Sequence, residues 1–290
     1  MTVPDGRSND GIAGLDSDQL RRFVADVLAE DLGRDGDVTS VVTVPADARL
    51  TAAITTREAV TLAGVALAEA FFRHLDPQVQ IERLEQDGSK LKAGTPILRL
   101  KGLGRPMLSA ERSALNSLQH LTGIATLTRQ YVDAIEGTGC VLLDTRKTIP
   151  GLRVLEKYAA RTGGAHNHRM RLDDGILIKD NHIAICGGIT EAVRSASTAK
   201  TGLQIQVEVD RTDQIEPALD AGAERLLCDN MSPTLLRKAV QLVAGRVPIE
   251  ASGGVRLDTI RAIAETGVNF VSVGRITQSA PAADIGLDYS

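Results

Sequence analysis

Leu143-Asp-Thr-Arg-Lys-Thr-Ile-Pro-Gly-Leu-Arg-Val-Leu-Glu-Lys-Tyr-Ala-Ala-Arg-Thr-Gly-Gly-Ala-His-Asn-His-Arg-Met-Arg-Leu-Asp-Asp-Gly-Ile-Leu-Ile-Lys-Asp-Asn-His-Ile183 is the stretch on which the fold turns. It reads as strand, helix, glycine turn and strand, with Arg146, Lys147, His168, Arg169 and Lys179 at strand ends or in tight turns. Cations at the strand ends of an α/β fold face a shared cavity. The chain carries a net charge of -4, so this is a local cluster and not a general basic bias. Fixed positive charge in a concave site suits a small polyanion, carboxylate or phosphate.

Downstream of Gly139 the same rhythm continues. Short apolar runs (VLLDTR, ILIKD, IQVEVD, RLLCD, PIEAS and FVSVG) alternate with helical segments. Six strands separated by helices predict parallel βα units. No GxGxxG follows the first strand, which disfavours a dinucleotide-binding sheet. Polar residues close nearly every strand: Arg146, Lys179, Glu208, Asp229, Ser252 and Gly274. An α/β barrel builds its site this way. Six strands fall short of eight, so the barrel is expected to be incomplete.

Upstream, an amphipathic helix is expected from about Leu20 to Leu32, then a loop, EDLGRDGDVTS. Antiparallel strands follow in LTAAITTREAVTLAG, VQIERLEQDGSKLKAG and TPILRLKG, with one helix, GVALAEAFFRHL, among them. DGSKLKAGTPILRL resembles half of a biotinyl or lipoyl carrier. Without a second half it reads as part of an open-faced β-sandwich. Residues 106–136 have a helical pattern, in which Gly123 either interrupts the helix or lets two helices pack closely. The organisation expected is a disordered tail (1–19), an N-terminal α+β open-faced sandwich (20–118, joined by 280–290) and an α/β barrel (119–279).

Composition narrows the function. Aromatic residues make up 2% of the chain and Trp is absent, which argues against base-stacking nucleic-acid platforms. No apolar run reaches membrane-span length. Cys140, Cys186 and Cys228 are scattered and odd in number. They read as small buried hydrophobes in a reducing cytoplasm. His166 and His168 lie in a loop without HExxH or Cys partners, so zinc is not expected.

Ser252-Gly253-Gly254 and Val273-Gly274-Arg275 end the last two strands, where such barrels commonly hold phosphate on backbone N–H groups. Glu208 and Asp229 end successive middle strands. They could pair with the lysines opposite, bind a divalent metal, stabilise a developing cation or hold sugar hydroxyls. Asp210 would share the face of Glu208 if that strand continued. Lys179 could form a Schiff base, although the arginines nearby favour anion binding. His168 could act as acid, base, hydrogen-bond donor or structural residue.

The motifs TRKTIPGLR, EKYA, RTGG, NHR, LIKDNH, VEVD, LLCDN, EASGG and VSVG, in this order, resemble the quinolinate phosphoribosyltransferase family. The similarity extends upstream through EDLGRDGDVTS, REAVTLAG, EQDGSKLKAG and AERSALN. It implies an N-terminal open-faced sandwich, an incomplete barrel, and a homodimer in which one subunit's N-terminal domain covers the other's barrel mouth. It implies conversion of quinolinate and phosphoribosyl pyrophosphate to nicotinate mononucleotide, diphosphate and CO2 with Mg²⁺, a step of NAD synthesis. By motif, Arg146, His168, Arg169 and Lys179 fall to quinolinate, and Thr145 is a further substrate-binding candidate. Lys147 falls to the junction of the substrates, and Arg112 to an arginine donated across the dimer. Glu208 and Asp229 fall to the ribose and metal side. Ser252, Gly253, Gly254, Val273, Gly274 and Arg275 fall to the 5-phosphate. Lys147, Glu208 and Asp229 are thereby the catalytic candidates. Two positions depart from the family pattern: Arg275, where a small residue is usual, and Arg171, where Gly is common. A paralogue linked to molybdenum transport shares the fold and is the nearest competing reading. A Schiff-base aldolase and a non-catalytic anion binder are the others.

Overall fold

The structure is a computed structural model that describes residues 15–289. Of the expected disordered tail, residues 1–14 lie outside the described residues. Asp16 caps the first helix, accepting from the Asp18 and Gln19 backbone N–H groups, so α1 (Ser17–Leu32) starts ahead of Leu20. The described residues form two compact units: 15–127, 154–163 and 280–289 in one, 128–153 and 164–279 in the other.

The first unit is α+β. Its strands are β1 (Arg49–Thr56), β2 (Val60–Thr61), β3 (Gln80–Arg83), β4 (Lys90–Leu91) and β5 (Pro96–Leu103). A C-terminal strand, Ile285–Tyr289, pairs antiparallel with β1, placing Ala52 opposite Tyr289. The four-stranded sheet runs C-terminal strand, β1, β5, β3, all antiparallel, and β2 pairs with β4 apart from it. Its helices are α1, α2 (Val38–Thr43), α3 (Val65–Leu75) and most of α4 (Gly104–Ala134). Ile54, Leu98 and Leu100 of the sheet are fully buried, as are Leu67 and Phe71 of α3. These bulky apolar groups supply this unit's hydrophobic stabilisation.

Two local expectations fail here. Part of EDLGRDGDVTS is helix α2 and not loop, because Asp37 Oδ1 accepts the Ser40 N–H at 2.9 Å and caps a six-residue turn. α4 runs unbroken through Gly123. A Cβ there would lie 2.0 Å from the Pro281 carbonyl oxygen, so this glycine admits the returning C-terminal backbone instead of a second helix.

The second unit holds six parallel strands: β6 (Val141–Leu143), β7 (Ile176–Ile178), β8 (Ile205–Val209), β9 (Arg225–Asp229), β10 (Ile249–Ser252) and β11 (Phe270–Ser272). Their order is β6-β11-β10-β9-β8-β7. The sheet therefore has two edges, β6 and β7, and the barrel is incomplete. β6 gains one further bridge, Leu143 to His166. Helices α6 (Asp180–Cys186), α7 (Ile189–Thr198), α8 (Ile215–Asp220), α9 (Pro233–Val243), α10 (Ile260–Ala264) and α11 (Arg275–Gln278) connect and follow the strands. α5 (Arg153–Thr162), the helix after β6, belongs almost wholly to the first unit. Val207, Leu226 and Val271 of these strands are fully buried. Continuous apolar runs of this kind are what a parallel sheet requires.

Cys140 and Cys228 are buried, and burial pushes their thiols up to about 11 and about 12. Cys186 is exposed, contrary to expectation. It ends α6, a short helix that follows Lys179 directly and has no buried residue. Among the described residues no helix is long and apolar enough to cross a membrane.

Candidate active site

At the C-terminal ends of the six strands lies a cavity of about 770 Å³, within the size range of small-molecule sites. Thr145, Arg146, Lys147, His168, Arg169, Lys179, Glu208, Asp229, Ser252, Gly253, Gly254, Val273, Gly274 and Arg275 all line it. One candidate stands elsewhere: Arg112, exposed on α4 in the first unit. Two further residues are not site residues here. Arg171 is exposed and pairs with Asp173 at 2.9 Å. Asp210 lies beyond the end of β8, exposed, and pairs with Arg211.

The cationic side is built on a buried carboxylate that the sequence reading passed over. Asp144, fully buried just after β6, accepts from Asn167 Nδ2 at 2.5 Å and from the His168 N–H at 2.8 Å. It thereby fastens the NHR turn to the TRK segment. Arg153 ties the same two segments, donating to the Met170 carbonyl at 3.2 Å and to the Arg146 carbonyl at 3.5 Å. Arg169 donates to the Gly175 carbonyl at 2.7 Å. Burial, then the neighbouring Arg146 charge, lowers the Arg169 pKa. The Arg146 Nε is buried with no hydrogen-bond partner. Burial and the Arg146 charge outweigh the nearby Asp174 at Arg169, an arrangement that suits an incoming carboxylate.

Glu208 of β8 and Asp229 of β9 occupy adjacent strand ends. Lys179 Nζ donates to Glu208 Oε2 at 2.6 Å. Asn230 Nδ2 donates to Asp229 Oδ2 at 2.6 Å, and its N–H to the Ser252 carbonyl at 2.8 Å. Asn230 adopts a left-handed φ of 54°. A Cβ on Gly253 would lie 2.3 Å from the Asn230 Oδ1, so the first glycine of this loop is required by close approach. Gly274 plays a matching part: a Cβ there would lie 2.7 Å from Lys147 Cδ, whose stem crosses over it. The Thr277 hydroxyl also donates to the Lys147 carbonyl at 2.7 Å. The last glycine loop and the TRK segment are thus one assembly.

Glu250 is the other residue the sequence reading missed. It lies in β10, in register with Leu227 and Phe270, and is fully buried while lining the cavity. Arg225 Nη2 donates to its Oε2 at 2.7 Å and Gln206 Nε2 at 2.8 Å. Burial raises its pKa, but hydrogen bonding to His168 and the charges of His168 and Arg225 outweigh this and hold it down to about 2. Its alternation with Ser252 was the signal available: two residues apart on one strand, they share a face.

Fold and site together define an α/β-barrel enzyme for small polyanionic substrates. Residues 124–288 match the quinolinate phosphoribosyl transferase C-terminal domain, and residues 37–122 its N-terminal domain. The chain belongs to the quinolinate phosphoribosyltransferase family. It is 41% identical over 273 residues to a probable nicotinate-nucleotide pyrophosphorylase (carboxylating) of Bacillus subtilis, covering 94% of each chain. It is 40% identical to the nicotinate-nucleotide pyrophosphorylase (carboxylating) of Mycobacterium leprae, over 96% of this chain and 99% of that one. The solved nicotinate-nucleotide pyrophosphorylase of Francisella tularensis superposes with a TM-score of 0.91 at 41% identity, covering 97% and 99% of the two chains. These relatives do not favour the molybdenum-linked reading.

Proposed function

We propose that the protein is a quinolinate phosphoribosyltransferase, converting quinolinate and phosphoribosyl pyrophosphate to nicotinate mononucleotide, diphosphate and CO2. The observation that carries this is the division of one cavity into a cationic wall, a pair of carboxylates and two glycine loops. Quinolinate is a dianion and its co-substrate carries several negative charges. Bringing them together in a low-dielectric cavity requires fixed cations. Arg146, Arg169 and Lys179 take the ring carboxylates, with His168 as a hydrogen-bond donor. Ser252 to Gly254 and Val273 to Arg275 take the 5-phosphate, and Lys147 reaches both substrates.

The bond from the anomeric carbon to diphosphate breaks first, leaving an oxocarbenium-like centre. Glu208 and Asp229 stabilise its positive charge. The ring nitrogen supplies the electron pair for the new C–N bond. The carboxylate beside the now quaternary nitrogen leaves as CO2, its electron pair remains on the ring carbon, and a solvent proton replaces it. The protein orients the reactants and supplies charge, and no protein base is needed.

Mg²⁺ belongs to this reading as a partner of the diphosphate. Among the described residues no three His, Cys, Asp or Glu side chains gather as a metal site. Two carboxylates, Glu208 and Asp229, suit a hydrated Mg²⁺ that takes its remaining ligands from phosphate oxygens and water. When bound, it would neutralise charge on the leaving diphosphate. The working unit is a cytoplasmic homodimer in which Arg112 completes the partner's site.

The test is nicotinate mononucleotide formation by the purified chain with quinolinate, against nicotinate as control. Nicotinate should be a very poor substrate, because its missing carboxylate leaves cations of the cavity unpaired. Comparable turnover of the two refutes the reading.

A further inference from the structure

His168 lines the cavity, and each of its ring nitrogens faces a polar partner. Its Nδ1 accepts the Arg169 N–H at 2.8 Å, which leaves Nε2 as the donor nitrogen. Nε2 lies 3.5 Å from Glu250 Oε2. The histidine side chain is 12% exposed and that of the glutamate 0%. The carboxylate behind the ring is itself fixed from below. Arg225 and Gln206 both donate to the same oxygen, and the Arg225 guanidinium lies 4.0 Å from the centroid of the Phe270 ring.

This arrangement spans three adjacent strands. Gln206 comes from β8, Arg225 from the start of β9 and Glu250 from β10. A buried carboxylate costs several kcal/mol unless paired. An apolar residue in the middle of β10 would fill the barrel without that penalty. The charge therefore calls for a role beyond packing. Arg225 offsets it on the side away from the mouth, and His168 stands on the cavity side.

We propose that Glu250 is a positioning residue. Held by Arg225 and Gln206, and acting together with the Arg169 N–H on Nδ1, it fixes the His168 imidazole as an Nε2–H donor in the cavity wall. The distance of 3.5 Å is long for a hydrogen bond. At that length the Nε2–H can turn from Glu250 toward an arriving substrate carboxylate, as contacts in unliganded sites commonly tighten on binding. The substrate named here rests on the proposed function; the tautomer does not.

The experiment uses the full chain labelled with ¹⁵N-histidine, the His168 signals being assigned by their loss in His168→Gln. Wild-type His168 should report the Nε2–H tautomer. Glu250→Gln should lose that fixed tautomer and weaken quinolinate binding in calorimetric titration by ~10-fold, the scale of one charge-assisted hydrogen bond. KM for phosphoribosyl pyrophosphate should stay unchanged. Glu250→Asp, which keeps the charge, should restore the tautomer at least in part. In a His168→Gln background, Glu250→Gln should cost no further quinolinate affinity.

An Nδ1–H tautomer in the wild type overturns the proposal, even if Glu250→Gln fails to fold. So does unchanged quinolinate affinity in Glu250→Gln, or a loss that adds fully to that of His168→Gln. A wild type that binds no quinolinate refutes the proposed function alone, since loss or retention of the tautomer in Glu250→Gln still decides the part played by Glu250.

Discussion

Replacing Glu208 by Gln keeps the shape of the side chain and removes its charge, and the structure assigns opposite signs to its effects on binding and turnover. Lys179 Nζ donates to Glu208 Oε2 at 2.6 Å, with the lysine side chain 46% exposed and the glutamate 13%. A pair this exposed on one side is worth ~0.2–1 kcal/mol, far less than its bare Coulomb attraction. In the resting site that attraction competes with quinolinate for the lysine. Glu208→Gln should therefore leave quinolinate affinity unchanged or tighten it by up to ~5-fold, which is the same energy expressed as a ratio. Turnover should move the other way, falling ~10²-fold or more, the scale of losing one preorganised group that faces developing charge. Calorimetric titration with quinolinate and steady-state kinetics on the same preparation separate the two effects, with Arg169→Ala as the reference for lost binding. Quinolinate affinity falling in Glu208→Gln as far as in Arg169→Ala would refute the assignment of this carboxylate to the ribose side.

Gly123→Ala should destabilise the protein by ~1–3 kcal/mol in denaturant unfolding, although Gly to Ala within a helix normally gains ~1 kcal/mol; the new Cβ would meet the Pro281 carbonyl at 2.0 Å, and a stabilised variant would contradict that packing. Arg112→Ala and Lys147→Ala subunits, each inactive alone, should regain some activity when mixed, because one hybrid site would be intact; no recovery in proven heterodimers counts against a shared site. Glu250 has a folded pKa near 2 against an ordinary 4.5, so its stabilising contribution is complete above about pH 4.5 and is lost as pH falls through 2. Thermal melts should show that acid-labile part in the wild type and not in Glu250→Gln, and parallel pH profiles would disprove it.

What the sequence revealed and what it hid have a common physical source. Parallel βα units repeat, and each strand end projects its next polar residue toward the mouth, so Lys179, Glu208, Asp229 and Ser252 could be placed without coordinates. Gly253 and Gly274 were legible as loop residues, but not the close approaches to Asn230 and Lys147 that make them obligatory. Those approaches join segments more than twenty residues apart. Asp144 and Glu250 were hidden for a related reason: a single acid beside an apolar strand shows its partners only once neighbouring strands are in register. Helices α2 and α6 have six and seven residues, too few for periodicity to register. The exposed Cys186 followed from missing α6, since that helix turns its whole length toward solvent.

The charges of the site carry one consequence further. Glu208 holds Lys179 and Glu250 holds Arg225, whereas at Arg169 burial and then the Arg146 charge lower the pKa, with Asp174 offsetting only part of this. That repulsion is present in the empty site, beside a buried Asp144 that accepts from Asn167 and from the His168 backbone N–H. A ligand carrying two adjacent carboxylates relieves that repulsion, whereas a neutral ligand of the same shape does not. Selectivity for a dianion therefore comes from an unfavourable term in the empty site as much as from contacts in the filled one. Removing one of the two arginines should accordingly relieve part of the strain: Arg169→Ala should weaken quinolinate binding while leaving thermal stability equal to or above that of the wild type. A variant that lost both binding and stability would show that the guanidinium pair is supported by compensation within the fold and stores no repulsion.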